Sequence, residues 1–462
     1  MQALLFGPYL TEPLERDEGA YAYIAQRLPA GELPYRDIYD HKPPAVYFIY
    51  ALIFKLLGQS VLSIRTFTLF YSMLTTLSLF AVGYLMWGRM GGMLAALFYA
   101  FFSGGPYIQG TSANTETFMV LPMVLALLCF LRATRDGGRG TGANLFMAGV
   151  FSGLAVMIKQ VAAANFLVLA GLAGLISLIP LFLGFTAFPL IFTLFFWFKG
   201  ALPDMLNSVI FENLAYVGDK VWRWNFFMTA VGRDGLLLWG LSLLAILYIF
   251  LKDRKRENIL LAVWGVFSVL AIIPGRSFYG HYFIQTIPGL ALLSTYLIVR
   301  SLESKVNWKK AAAFLFTLFL LALPALKSRL DFNFLSPDEI SLKKYAYFFD
   351  TNFVLMREIA AHIRSKTSPN DYIYVWGAEP EVYFYTQRRS ASKYIYYYPL
   401  MYNTEKAYNI YLKVVDDVRQ KRPRYIISLY DMAYFGTLYK HVQSNYRLAS
   451  QIEKWRIWEI KK

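Results

Sequence analysis

The sequence predicts a polytopic α-helical membrane protein: a bundle of about ten transmembrane helices with external juxtamembrane helices, followed by a C-terminal extracytoplasmic α/β domain. Three observations predict it. The 462 residues are 57% hydrophobic and only 16% charged, with a mean hydropathy of +0.39, which excludes an ordinary soluble globule. From Leu62 to Leu326, apolar blocks of membrane-spanning length alternate with short polar breaks. Backbone left unpaired in lipid costs several kcal/mol per group, so these blocks are expected as helices. After Lys327 the blocks stop, which divides the chain into 1–327 and 328–462.

In chain order the expected spans are 62–87, 90–104, 117–132, 143–157, 161–178, 180–198, 235–251, 258–274, 283–299 and 310–326. The run 161–198 is divided at Pro180, where no basic turn separates the halves. Arg89, the Arg132/Arg135/Arg139 loop, "KDRKRE" (Lys252 to Glu257) and Arg300 to Lys310 fall on one side when the spans alternate, and the positive-inside rule makes that side cytoplasmic. Residues 1–61, 105–116, 199–234, 275–282 and everything after 327 then face outward. No signal peptide is visible before Asp17. "MQALLFGPYL" reads as the external end of a helix whose earlier part is missing from this chain.

In the tail, "DYIYVWG", "KYIYYYP", "RYIISLYD" and "KWRIWEI" have the aromatic and β-branched character of strands. "FVLMREIAAHIRSK" and "TEKAYNIYLKVVDDVRQK" have helical spacing between them. The alternation favours a partly parallel sheet. "WGAEPEVYFYTQRRSASKY" is read as a turn with a solvated basic face at Arg388 and Arg389, in preference to an acceptor-recognition element.

The formal charge of +16 is spread over short loops with neither a basic helix nor an aromatic RNA-binding signature, so nucleic acid is not an expected partner. The single cysteine, Cys129, lies inside an apolar block and excludes an intrachain disulfide. Apart from Lys159, the apolar blocks carry almost no charge away from their ends, which argues against a proton relay or ion path at the midplane.

Chemistry concentrates in three external patches. In "RDEGAYAYIAQRLPAG", Asp17 and Glu18 occupy the cap and first turn of an amphipathic helix, where acidic side chains serve capping or catalysis. "DHKPP" then brings His41 and Lys42 to the start of a second interfacial helix, with Lys42 placed to meet a lipid phosphate or to snorkel. "QGTSANTE" carries Asn114 and Glu116, and "GRSFYGHYF" carries Arg276, His281 and Tyr282. No glycine-rich phosphate loop or zinc-type His/Cys cluster stands out.

An Asp-Glu helix start, Lys-Pro-Pro some two dozen residues later and "G-x-S-x-x-x-x-R" (Gly58 to Arg65) resemble the first external loop, about 16–61, of GT-C glycosyltransferases of the protein O-mannosyltransferase and aminoarabinose transferase type. "SANTETFMVLP" resembles their second external loop, and "GRSFYGHYFIQTIPGLALL" a recurrent segment of bacterial members. The resemblance implies transfer of a sugar from a polyprenyl-phosphate carrier to a lipid, glycan or protein acceptor at the outer face of the plasma membrane. It implies Asp17 as base, with Glu18 and Glu116 as further catalytic carboxylates. Lys42, His41, Arg276, His281, Tyr282 and Asn114 would contact the donor phosphate or sugar. No cofactor is expected: Asp17, Glu18 and Glu116 could offer oxygens to a divalent metal, yet a monophosphate leaving group does not demand one. The sequence departs from these relatives in lacking a full span before the acidic pair. A transporter of lipid-linked sugars and a non-catalytic envelope scaffold are the alternative readings; the first would need midplane polar residues and inverted repeats.

Overall fold

The computed structural model describes residues 1–136, 141–214, 221–303, 308–346, 352–401 and 404–461. Arg139 and part of the Arg300 to Lys310 run, both used above for orientation, lie outside them.

Seven helical stretches among the described residues are long and apolar enough to cross a membrane: Val61–Phe102, Thr115–Arg135, Thr141–Ile158, Leu175–Phe198, Trp224–Lys252, Arg256–Gly275 and Gly280–Glu303. About ten spans were expected, and the difference has three sources. The spans 62–87 and 90–104 share one 42-residue stretch broken at Trp87 and Gly88, where Gly88 takes φ 68°. The two limbs fold tightly together, and a Cβ on Gly83 would lie 2.5 Å from the Gly91 carbonyl. The span 161–178 is only the shorter helix Gln160–Leu172. The span 310–326 lies on the helix Trp308–Asn333, the side chains of whose first turns are outside the described residues.

The long apolar run divides at Ala173 and Gly174, whose backbones are extended, and not at Pro180. Pro180 sits in the first turn of the helix Leu178–Phe185, where a missing N–H breaks no intrahelical bond. The stretches Gly280–Glu303 and Thr115–Arg135 are the most enclosed, 83% and 72% buried, against 17% for Leu175–Phe198. They form the centre of the bundle, and both begin beside the candidate site.

The tail contains a five-stranded sheet in the order β2-β1-β3-β5-β4, with β1 Tyr372–Trp376, β2 Arg389–Ser390, β3 Tyr425–Leu429, β4 Tyr446–Ile452 and β5 Trp455–Ile460. β1 runs parallel to β2 and β3, while β5 is antiparallel to β3 and β4. The helix Phe353–Lys366 is capped by the Asn352 side chain and buries Leu355, Met356, Ile359 and Ile363 along one face. Thr404 caps Glu405–Lys421, which buries Tyr411, Val414 and Val418. β4 was not expected, because its residues are mostly exposed and polar.

"KYIYYYP" is not a strand. It joins the N-terminal loop instead of the sheet: Tyr39 N–H donates to the Lys393 carbonyl at 2.8 Å, the rings of Tyr394 and Tyr396 pack on Tyr39, and the Tyr396 hydroxyl donates to Asp40 at 3.1 Å. The tail also grips the Arg16–Arg27 helix. There Gly19 lies so close to Glu381 that an added Cβ would fall 2.4 Å from the Glu381 Cβ.

Candidate active site

The helix Arg16–Arg27 is capped by Glu15, two residues before the Asp17 that the sequence suggests. Its carboxylate accepts from Asp17 N–H (3.1 Å) and Glu18 N–H (3.2 Å), while Glu18 accepts from Glu15 N–H at 3.1 Å. This reciprocal capping box satisfies the orphan donors of the first turn. The Asp17 carboxylate takes no part in the cap.

Glu18 is drawn the other way, into the protein. It is fully buried and paired with Arg65, with an Nη2–Oε2 distance of 2.8 Å, and it accepts from Ala113 N–H at 2.5 Å. The arginine of the "G-x-S-x-x-x-x-R" segment thus serves Glu18 and also reaches the carbonyls of Glu12, Pro13 and Thr111. A second buried pair lies beside it: Lys344 of the tail donates to Glu12 at 3.0 Å, to Ser112 at 3.1 Å and to Thr111 at 3.3 Å. Sequence reading missed Lys344, which gives no local signal among the many basic residues of the chain.

Asp17 faces the remaining groups. Its Oδ2 lies 3.8 Å from Lys42 Nζ, and its side chain keeps 31% of its surface exposed. Lys42 Nζ is 3.4 Å from His41 Nε2. The Lys42 carbonyl accepts from Tyr35 at 2.7 Å and from Tyr47 at 3.4 Å, which fixes the backbone just before the double proline. His41 N–H donates to Asp40 at 2.7 Å, and its Nδ1 lies 3.4 Å from the Tyr396 hydroxyl.

Glu116, in the first turn of the helix Thr115–Asp136, is buried and paired with Lys159, and it accepts from Thr115 Oγ1 at 2.8 Å. His281 Nε2 is 4.0 Å from Glu116 Oε1. Lys159 Nζ stands 4.5 Å from the centre of the Tyr282 ring, whose edge packs on His281. Lys159 was singled out above only as the exceptional charge among the apolar blocks. Its position just past Ile158 makes it the second cation of the site.

Asp17, His41, Lys42, Glu116, His281 and Tyr282 therefore converge around Lys159, while Glu18 sits in the buried network. Arg276 lies over Trp222 at 5.7 Å, in an aromatic patch with Trp224 and Phe278. Asn114 is fully buried, and neither atom of its amide has a hydrogen-bond partner among the described residues.

Burial opposes charge on Asp17, but Lys42, then His281, His41 and Lys159, outweigh it and hold the carboxyl well below the usual carboxylate range. Burial likewise opposes charge on Lys42, and Asp17 and Asp40 more than restore it, so its pKa lies above that of an ordinary lysine. The site thus presents an ionised Asp17 carboxylate beside a charged Lys42 at neutral pH. Among the described residues no group of three or more His, Cys, Asp or Glu is placed to hold a metal ion.

The tail forms one wall of this site. Arg16 donates from Nε to the Ala378 carbonyl at 2.7 Å, lies 3.6 Å from Glu379 and donates to the Tyr398 hydroxyl. The "GAEPE" segment is consequently an interface, not the solvated turn expected: Glu379, Glu381 and Arg388 are buried, and Arg389 pairs with Glu32 at 2.7 Å. Burial first, then the neighbouring Glu379, pushes the Glu381 carboxyl well above its ordinary range.

Residues 41–197 match the family described as dolichyl-phosphate-mannose-protein mannosyltransferase, and residues 356–461 match the family of the competence-induced protein Ccs4 C-terminal domain. Comparison with curated proteins finds no match. Among solved structures, ArnT from Cupriavidus metallidurans bound to undecaprenyl phosphate is similar with a TM-score of 0.70 at 15% identity, over 99% of this chain and 96% of that one. The oligosaccharyltransferase AglB from Archaeoglobus fulgidus, in complex with an inhibitory peptide and a dolichol-phosphate, is similar with a TM-score of 0.54 at 14% identity, over 98% of this chain and 71% of that one. The resemblance drawn from the external loops thus holds in a family match that runs from the end of the first loop through the following helices, and in the fold of nearly the whole chain.

Proposed function

We propose that this polytopic membrane protein, which resembles the GT-C glycosyltransferases, transfers a hexose or pentose from a polyprenyl-phosphate carrier to an envelope lipid, glycan or protein hydroxyl at the outer face of the plasma membrane. Residues 1–327 form the catalytic unit, and 328–462 an extracytoplasmic domain that walls the site. The observation carrying this reading is the half-open Asp17 carboxylate 3.8 Å from Lys42, beside the Glu116–Lys159 pair.

In the reaction, an acceptor hydroxyl attacks the anomeric carbon as the bond from that carbon to the phosphate oxygen breaks. Asp17 orients the hydroxyl and takes its proton, and Lys42 and Lys159 offset the charge gathering on the leaving lipid phosphate. With two ammonium groups in that role, the reaction needs no divalent metal. A carboxylate held low by Lys42 is a weak base in the empty site. A carrier phosphate seated on Lys42 draws that charge away and raises the proton affinity of Asp17, so the base strengthens when donor is bound.

The test compares envelope lipids and glycans by mass spectrometry in cells lacking the gene, complemented with the wild-type chain or with Asp17→Asn at equal membrane levels. Restoration of one fixed sugar mass by the wild type alone supports the reading and identifies sugar and acceptor together. Equal restoration by both chains would overturn the assignment of Asp17.

A further inference from the structure

His281 turns one ring nitrogen toward Glu116 and the other toward Gln109. Gln109 is fully buried with a left-handed backbone, φ 56°, a conformation a side-chain-bearing residue adopts only at a cost. Its Oε1 lies 2.8 Å from His281 Nδ1, while its own Nε2 has no hydrogen-bond partner among the described residues. With the amide oxygen turned toward the ring, the contact is a hydrogen bond when Nδ1 carries the hydrogen, since an amide oxygen only accepts. In the neutral ring Nε2 is then a bare acceptor, 4.0 Å from Glu116 Oε1, an oxygen that already accepts from Lys159 and is no donor to the ring.

Two acceptors at that distance do not bond each other. They call for hydroxyls between them, and the spare amide N–H groups of Gln109 add donors beside the same ring. A sugar, which presents neighbouring hydroxyls that each donate and accept, matches this set. We propose that Gln109 is a positioning residue that holds His281 as the Nδ1–H tautomer, so that His281 Nε2 and Glu116 together accept from hydroxyls of the transferred sugar. This rests on the glycosyltransferase reading. The charged and titratable groups facing His281 are Glu116, Asp17, Lys159 and Lys42 from four other segments, with Tyr279 and Tyr282 from its own. None of them offers Nδ1 the contact that Gln109 makes.

The chain contains only four histidines, His41, His281, His362 and His441, so ¹⁵N-histidine labelling of the full protein in lipid nanodiscs resolves the question directly. Spectra are taken at about pH 8.5, above the ordinary imidazole pKa, and the His281 signal is identified by its loss in His281→Gln. The expected result is a protonated Nδ1 and bare Nε2 in the native chain, retained in Gln109→Glu, which still accepts, and reversed toward Nε2–H in Gln109→Leu. An Nε2–H tautomer in the native chain, or a tautomer indifferent to Gln109→Leu, would overturn the proposal. In transfer assays on folded protein, Gln109→Glu should raise the donor KM about 5-fold with kcat kept, and Gln109→Leu should also lower kcat about 10-fold or more. Failure of the unaltered chain to transfer sugar would defeat the glycosyltransferase reading while leaving the tautomer measurement to stand or fall alone.

Discussion

Asp17 and Glu18 are adjacent in sequence and opposite in circumstance. Glu18 is closed off entirely, with Arg65, the Ala113 N–H and the Glu15 N–H filling its oxygens, and the equally buried Glu12–Lys344 pair extends the network. Asp17 keeps a third of its surface open, and its nearest cation stands at 3.8 Å, too far for a tight bond. The difference separates a carboxylate whose valences are used by the fold from one whose valences are left for something that arrives. Adjacency in the sequence carries no such distinction. The direction each side chain leaves the helix does.

The comparison can be broken most forcefully at Arg65. Arg65→Met strands Glu18 without its counter-ion in the interior and should lower stability by about 3–5 kcal/mol, read as a large drop in thermal unfolding temperature or in membrane level, whereas Asp17→Asn should leave both near wild type. If Asp17→Asn destabilises as much as Arg65→Met, the two carboxylates are not different in kind. Next in size, Lys159→Met leaves Glu116 unpaired and should reduce both stability and transfer, by about 2–4 kcal/mol and about 100-fold. Adding Glu116→Gln should recover much of the stability and none of the transfer, which a double-mutant cycle measures.

A smaller effect sharpens the electrostatics. Lys42 is the foremost influence holding the Asp17 carboxyl down, so Lys42→Met lets its pKa rise. Because the proposed base must be ionised, the acid limb of the kcat/KM profile should move to higher pH, by about one unit. The smallest effect concerns Glu381, whose carboxyl is pushed up by burial and by Glu379. A carboxyl raised in the folded state contributes stability below its unfolded pKa, about 4.3, and loses it as pH climbs toward the folded value. Glu381→Gln should therefore be more stable than wild type by a few degrees at pH 8, with the gap closing near pH 4. A gap independent of pH would show that folding does not shift the Glu381 carboxyl.

Much of this was legible in the sequence because it is local. The apolar blocks, the helix Phe353–Lys366 and the strands β1, β3 and β5 follow from residue periodicity and type within a dozen positions. The pairing of Asp17 with Lys42 could be anticipated from the loop they share. The partners that come from far away could not: Lys159 reaches Glu116 across 43 residues, Lys344 reaches Glu12 across 332, and Tyr396 reaches Asp40 across 356. The break at Ala173 and Gly174 was equally hidden, since both sides of it are apolar and composition does not change there. "KYIYYYP" has the right residues for a strand and lost that fate to a neighbouring loop, which offered its backbone and rings a competing partner.

The contact of Gly19 with Glu381 bears on how such a protein can be rebuilt or can diverge. Two positions after the proposed base, the membrane part offers a bare Cα to the backbone of the tail. A tail transplanted from a relative would have to bring a helix of the same placement to that spot, and a membrane part with any larger residue at position 19 would refuse this one. The two halves are therefore not interchangeable modules, and shuffling them requires the junction to travel with the graft.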